Sequence, residues 1–359
     1  MQLKHVLKSI SETYDFEKNP NVIFLNTGDI LAGKILHHDY SDAKFLPGQA
    51  KKSIQNNDIL FSEIRPANQR FALVNVENPG DYVVSTKLMV LRCYNPNYSV
   101  EYVYNFLTQP AILAQLQALA ESRSGTFPQI TFSEIESLEI PDISIEEQQH
   151  IVDVLGTLDD RIENIDKISL KIQEYGNKLF SLIPLNKLEK LTDVVTFTKG
   201  KEIGSFNYLD KQIDGTVPYI RVGDLIGRNV ATFTISKDVP LCTEEDILIA
   251  FDGAPGRNNY GLKGAISSGI QRVDCEQTIK GFVYFYLNSE LCQNTIKKYT
   301  TATTIAHAGK SINVLQIPIV DDIVIYDKFN ALFTHLVALS KEKDVLQQLK
   351  QLYLQKFFG

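Results

Sequence analysis

A chain of 359 residues, 44% hydrophobic and 22% charged, has an ordinary water-soluble composition and the length for two domains with cores of their own. It has no apolar run near 18 residues and no charged-then-apolar start, which excludes membrane and secretory readings. The scattered Cys93, Cys242, Cys275 and Cys292 lack CxxC spacing and read as reduced thiols in a cytoplasm. The net charge of −7 argues mildly against nucleic acid as a partner, but residues 142–183 carry nine acids against four bases, leaving the rest near neutral and able to hold basic patches.

Residues 1–141 form a first block. Short β-rich runs at Val22–Leu25, Ile59–Glu63, Phe71–Val76 and Tyr82–Arg92 are separated by turn signals at Asn26–Gly28, Pro47–Gly48 and Pro79–Gly80. One helix is expected over Val100–Glu121, then a loop from Ser122 to Pro128 and an apolar stretch ending Leu138-Glu-Ile-Pro141. Residues 142–183 read as one long helix. Ile151, Leu158, Ile165, Ile172 and Leu179 recur every seven residues, and Leu155 and Ile162 fill the intermediate row of a coiled-coil seam. That row continues as Ser169 and Gly176, so the seam thins toward its end. Asp142 or Ser144 can cap the helix, and Glu146 and Glu147 suit its first turn. At about 1.5 Å per residue it spans roughly 55–60 Å and needs a partner helix.

A second block, 184–320, repeats the order of the first. Strands are expected at Val217–Val222, Ile247–Phe251, Gly264–Ser267 and Ile270–Val273, a helix at Lys280–Tyr299, a loop of threonines from Thr300, and a stretch ending at Pro318. Thr126, Ile135, Leu138, Ile140 and Pro141 stand in register with Thr303, Ile312, Leu315, Ile317 and Pro318. Gly28-Asp29 matches Gly223-Asp224, Asp58-Ile-Leu matches Asp246-Ile-Leu, and Ser85 matches Ser267. Residues 321–359 supply a second long helix. Its row is Leu332, Leu336, Leu339, Leu346, Tyr353 and Phe357, interrupted by Lys343 and Lys350, and it is expected to lie antiparallel to the first and to face Ile151, Leu158, Ile165 and Ile172. The fold class is α+β: two similar globular domains and two long helices forming an antiparallel coiled coil.

Enzyme motifs are missing. Gly309-Lys310-Ser311 resembles the tail of a phosphate loop, but Thr304 stands where its first glycine belongs. Asn95-Pro-Asn-Tyr98 resembles an adenine-methyltransferase motif without the second proline, and a plain turn is the better reading. No histidine has metal-ligand spacing. What remains is polar and loop-borne: Arg65, Asn68, Gln69, Arg70, Arg123, Ser124 and Thr126 in the first block, and Arg257, Asn258, Asn259, Gln271, Arg272, Thr303, Thr304 and Lys310 in the second. Arg, Asn and Gln suit base edges, and Ser, Thr and Lys suit phosphates. For each residue alone, a solvated loop explains as much; corresponding loops in two repeated blocks point to DNA.

The order domain–helix–domain–helix resembles the DNA-specificity subunit of type I restriction–modification systems. The resemblance is carried by Leu138-Glu-Ile-Pro141 with Ile145-Glu-Glu-Gln-Gln and the heptads, by Asp58–Pro66 and Val84–Thr86, and by Pro218–Asp224, Asp246–Gly253 and Leu315–Pro318. It implies a non-catalytic chain with two target recognition domains, each reading half of a split site in double-stranded DNA across a helical spacer. It also implies two methyltransferase subunits that bring S-adenosylmethionine, and motor–nuclease subunits that use ATP with magnesium; no cofactor is expected in this chain. The second helix departs from the pattern, starting Ile319-Val-Asp-Asp instead of Glu-Glu-Gln-Gln. A two-domain protein–protein scaffold is the rival reading; it accounts for the helices and the acidity but not for the Arg/Asn/Gln loops.

Overall fold

The computed structural model describes residues 1–122, 128–228, 230–235, 237–301 and 306–359. It divides into two compact units: unit 1 is Met1–Asp159 with Leu349–Gly359, and unit 2 is Asp160–Gln348.

Unit 1 contains β1 (Leu7–Ile10), β2 (Asn21–Leu25), β3 (Ile30–Leu31), β4 (Lys34–Ile35), β5 (Ser41–Asp42), β6 (Ala50–Ser53), β7 (Asp58–Ser62), β8 (Phe71–Leu73), β9 (Tyr82–Ser85) and β10 (Leu88–Cys93). Two sheets run β1-β10-β7-β8 and β5-β2-β9-β6, beside the small hairpin β3-β4. Neighbours are antiparallel except β2 with β9. The helices are α1 (Val100–Thr108), α2 (Pro110–Ser122), α3 (Phe132–Glu136) and the start of α4 (Ile145–Ser181). β7 is buried along its length. Ile59 and Phe61 enter a core shared with α1 and α2, while Leu60 enters a second core with Val90, Ile23 and Leu25. Two covered faces explain why this run is continuously apolar instead of alternating.

Unit 2 contains β11 (Leu188–Lys190), α5 (Leu191–Val194), β12 (Thr196–Lys199), β13 (Val217–Ile220), β14 (Phe233–Thr234), β15 (Leu241–Cys242), β16 (Ile247–Ala250), β17 (Asn258–Asn259), β18 (Gly264–Ile266), β19 (Ile270–Asp274), α6 (Lys280–Asn288), α7 (Glu290–Lys298), β20 (Gln316–Pro318) and most of α8 (Ile323–Phe358). Its sheets run β12-β19-β16-β17 and β14-β13-β18-β15. Beside them β11 pairs with β20, and the four-stranded sheets repeat the topology of unit 1, down to the parallel pair, here β13 with β18. Asp58 and Asp246 head equivalent strands, and Oδ2 of each accepts the N–H of the third residue before it, Gln55 at 2.9 Å and Thr243 at 2.8 Å. The exits repeat as well: Leu3 N–H donates to Leu138 O, and Leu191 N–H to Leu315 O, both at 2.9 Å.

Two expected helices are each broken in two. Pro110 drives Gln109 out of the helical region to ψ 148°, separating α1 from α2. No proline marks the second break. There Ser289, extended at ψ 154°, ends α6 and caps α7, its hydroxyl accepting the Cys292 N–H.

The long helices are shared between the units, and within each they pair antiparallel. In unit 1, Ile151 and Leu155 share a core with Leu354, and Lys350 Nζ donates to Asp159 at 2.6 Å. In unit 2, Arg161 pairs with Glu342 and Lys343 with Asp166, while Phe180 packs on Phe329 with ring centroids 5.8 Å apart. The α4 seam is buried at Ile151, Leu155, Leu158 and Ile165, as its heptads require. The α8 row holds in part: Leu336 and Leu339 are buried as expected and Leu332 and Leu346 are half-buried, but Phe329, Phe333, Val337 and Ser340 are buried beside them, and Ile151 shares its core with Leu354, which lies outside the expected set Leu332–Leu346. Lys343 and Lys350 interrupt that row because carboxylates on α4 face them. The thinning at Gly176 also has a cause, since a Cβ there would stand 2.1 Å from the Phe285 ring of α6.

Ser144 caps α4 in a reciprocal box with Glu147, at 3.0 and 3.2 Å. Gln148, fully buried, then clamps the helix to the turn before α1. Its Oε1 accepts the Ser99 N–H at 2.9 Å, and its Nε2 donates to Asn97 O at 2.9 Å and Ile143 O at 3.1 Å. Tyr102 braces the same junction through its hydroxyl to Pro141 O at 3.1 Å; burial, then the Asp142 carboxylate, push its phenol up to about 12. The helix start at α8 lacks Glu-Glu-Gln-Gln, yet Asn330 makes the same kind of clamp: Oδ1 accepts the Gly281 N–H at 2.7 Å and Nδ2 donates to Thr278 O.

Candidate nucleic-acid interface

In unit 1 the loop leaving β7 carries four of the expected residues. Arg65 and Gln69 take left-handed backbone, φ 46° and 55°, at the two ends of a 3-10 turn, Pro66–Asn68. The loop is tied down around its rim. Arg65 N–H donates to Pro128 O at 3.1 Å, Ala67 N–H donates to Gln117 Oε1 of α2 at 3.1 Å, and Gln69 O accepts the Ala32 N–H at 2.7 Å from the β3-β4 turn. Pro128 directly follows the segment holding Arg123, Ser124 and Thr126, which lie outside the described residues. Arg65, Asn68 and Gln69 are exposed, and their side chains make no hydrogen bond or ion pair among the described residues. Arg70 differs: its Nη1 donates to Gly28 O at 3.0 Å and Ile30 O at 2.9 Å, fixing the loop to the turn after β2.

Unit 2 builds the same frame with other side chains. Gly253 N–H donates to Ala306 O at 2.8 Å, which makes Gly253 the counterpart of Arg65. Ser62 N–H to Arg70 O and Ala250 N–H to Arg257 O are equivalent bonds, so Gly256 corresponds to Gln69. The bridges Ile64↔Gln129 and Asp252↔His307 hold each loop against the segment that returns from the helix pair. In unit 2 the His307 ring nitrogen Nδ1 also lies 2.8 Å from Asp252 Oδ1. Thr303 and Thr304 lie outside the described residues.

The other candidates in unit 2 divide by how their side chains are held. Arg257 Nη1 donates to Val222 O at 3.1 Å, the job Arg70 does in unit 1. Asn258 accepts from Asn288 at 3.1 Å and donates to Gly256 O at 3.2 Å, and Asn259 donates to Leu225 O at 2.8 Å. Arg272 is bound by Asp274 at 2.7 Å, a contact that raises its already high pKa, and it also donates to Leu241 O. Gln271, half-buried, and Lys310, exposed in the 3-10 turn Gly309–Val314, have no such side-chain partner among the described residues. The β3-β4 tip, not singled out from sequence, also borders the Arg65 loop, with exposed Lys34 following its Ala32-Gly33 turn; the sequence signal for it is Ala-Gly between Ile30-Leu31 and the Lys34-Ile35 strand. No cluster of His, Cys, Asp or Glu able to hold a metal occurs among the described residues. None of their helices is long and apolar enough to cross a membrane.

Residues 2–174 match the family model of the type I restriction modification DNA specificity domain. The N-terminal half of this chain is therefore similar to that specificity domain. The specificity subunit of the type I restriction enzyme HindI from Haemophilus influenzae is 43% identical over 181 residues, 50% of this chain and 39% of that protein. The specificity subunit of the MjaVIII enzyme from Methanocaldococcus jannaschii is 25% identical over 175 residues, 47% of this chain and 41% of that protein. The chain thus matches less than half the length of either curated relative. Among solved structures, the S subunit of a type I restriction–modification system from M. genitalium aligns with TM-score 0.57 at 19% identity, covering 100% of this chain and 95% of that one. That last likeness is one of fold alone.

Proposed function

We propose that this chain is the DNA-specificity subunit of a type I restriction–modification complex, itself non-catalytic, with two recognition domains that each read one half of a bipartite duplex site. The observation that carries this reading is the repeated frame. In both units a strand-end loop is hydrogen-bonded to the segment returning from a helix pair, and the loop side chains differ while the backbone bonds stay. Altered loops on one scaffold suit two sites that read different sequences. The antiparallel helices serve as the spacer, so the gap between half-sites is read as a length; joining two readers raises the effective concentration of the second. Two methyltransferase subunits dock on this scaffold with S-adenosylmethionine, and motor–nuclease subunits join with ATP and magnesium, in the cytoplasm. The test is a domain exchange. Residues 184–318 are replaced by those of a relative, the complex is expressed with its methyltransferase, and the methylated motif is sequenced. One half of the motif should change and the other persist. A swap that rewrote both halves, or neither, would refute the assignment.

A further inference from the structure

Among the described residues five non-glycine positions have positive φ: Ala32, Asn57, Arg65, Gln69 and Arg228. An L residue is strained there, and the conformation persists only where surroundings or function hold it. Ala32 with Gly33 forms the two-residue turn of β3-β4, where both φ values must be positive. Asparagine tolerates the region, which covers Asn57. Arg228 is held from inside the fold, its guanidinium 4.7 Å above the Tyr260 ring and donating to Ser340 Oγ. Among the described residues the side chains of Arg65 and Gln69 have no such internal partner. Their counterparts in unit 2 are Gly253 and Gly256, at φ 79° and 86°, the residue type for which this backbone is free. The frame therefore works with glycine at both places, and unit 1 keeps two long, exposed, bidentate-capable side chains there despite the strain.

We infer that Arg65 and Gln69 are the specificity-determining pair of the first recognition domain, set on one rigid 3-10 turn so that Arg65 takes the O6/N7 edge of a guanine and Gln69 the N6/N7 edge of an adenine in the same half-site. The inference rests on the specificity-subunit reading above and narrows it. Arg70, bound to Gly28 and Ile30, positions the turn and does not read. Unit 2 has no readers at these two places, and its Arg257, Asn258 and Asn259 are engaged within the domain.

The experiment uses the full chain in its methyltransferase complex, with Arg65→Gly, Gln69→Gly and the double variant. The motif is mapped by methylome sequencing and by selection from a randomised duplex library, and the melting temperature of the full chain is measured in parallel. Arg65→Gly should relax one G·C position and Gln69→Gly one A·T position, both in the same half of the motif, with discrimination there falling about 5- to 150-fold. The other half should be unchanged, and the melting temperature should hold or rise, because glycine releases the left-handed strain. A motif that survives both substitutions overturns this assignment alone. So does equal weakening on all sequences with a shallower salt slope, which would mark phosphate contacts, and so does a fall in melting temperature. A wild-type complex with no bipartite motif overturns this inference together with the reading it rests on.

Discussion

Replacing Gln148 by Ala should loosen the joint between α4 and the rest of unit 1. The side chain is fully buried and makes three hydrogen bonds, to Ser99, Asn97 and Ile143. At a net value near 1 kcal/mol each their loss costs about 3 kcal/mol, and the orphaned Ser99 N–H adds to that. Alanine returns only a few tenths through better helix propensity, so a net loss of about 3 kcal/mol is expected. Gln148→Glu keeps the shape but replaces the donor facing Asn97 O and Ile143 O with an acceptor, and should be worse at neutral pH. The sign with pH follows from its raised folded-state pKa: the penalty is full above that value and fades as pH falls to the ordinary carboxylate range. The chain has no tryptophan, and two units need not unfold together. Urea titration by far-UV circular dichroism should therefore be joined to hydrogen exchange resolved by mass spectrometry. The expected result is a lower midpoint with lost protection at residues 97–103 and 143–152. If the midpoint moved by less than the equivalent of about 1 kcal/mol and Ser99 stayed protected, the clamp would be a bystander.

The glycines give a matched pair. Gly156 of α4 has nothing within 4 Å of an added Cβ, so Gly156→Ala should stabilise by about 0.8–1 kcal/mol. At Gly281 of α6 a Cβ would stand 2.2 Å from Phe329 O of α8, and Gly281→Ala should destabilise, because overpacking of about 1–3 kcal/mol exceeds the helix gain; thermal melts of both variants read the opposite signs. Asp344 is half-buried on α8, and burial raises its pKa despite the nearby Arg228 and Lys343. Its penalty is absent below the unfolded-state value and full above the folded one, so Asp344→Asn should melt higher at neutral pH, with the gain closing as pH falls to about 4.

The fold was legible where local chemistry and packing agree. The heptads of α4 announced its buried face because 3–4 spacing on an acidic helix has one reading, and the repeated Asp-Ile-Leu and Leu-x-Ile-Pro runs marked equivalent strands and exits. The α8 face was read only in part: its leucines Leu336 and Leu339 are buried as expected, but the leucine row left out Phe329, Phe333 and Ser340, which pack beside them. The break at Pro110 was readable from the proline. The one at Ser289 was hidden because a serine inside an apolar helix looks like an exposed position until its hydroxyl is seen capping α7. At the candidate interface, side-chain type singled out these loops but could not separate Arg65, which is exposed, from Arg70 and Arg257, which tie the loop to a carbonyl behind it.

That separation shows what the repeat has kept. Arg70 and Arg257 occupy equivalent places and do one job, holding a strand-end loop against the turn after the parallel strand. The frame needs this bond whatever the loop contacts, so the residue type is the same in both units. The amide clamps follow a different route to the same end: Gln148 and Asn330 sit at different distances from the starts of their helices, yet each grips a backbone N–H and a carbonyl at the start of the helix it packs on, α1 or α6. An alignment by position would miss the second, because α8 lacks the Glu-Glu-Gln-Gln start and Asn330 lies further along its helix than Gln148 does. Where no internal bond constrains the side chain, at the left-handed ends of the loop, the units part company: glycine in one, Arg65 and Gln69 in the other. Structural demand thus predicts where the two units agree, and the exposed positions free of it are where they differ.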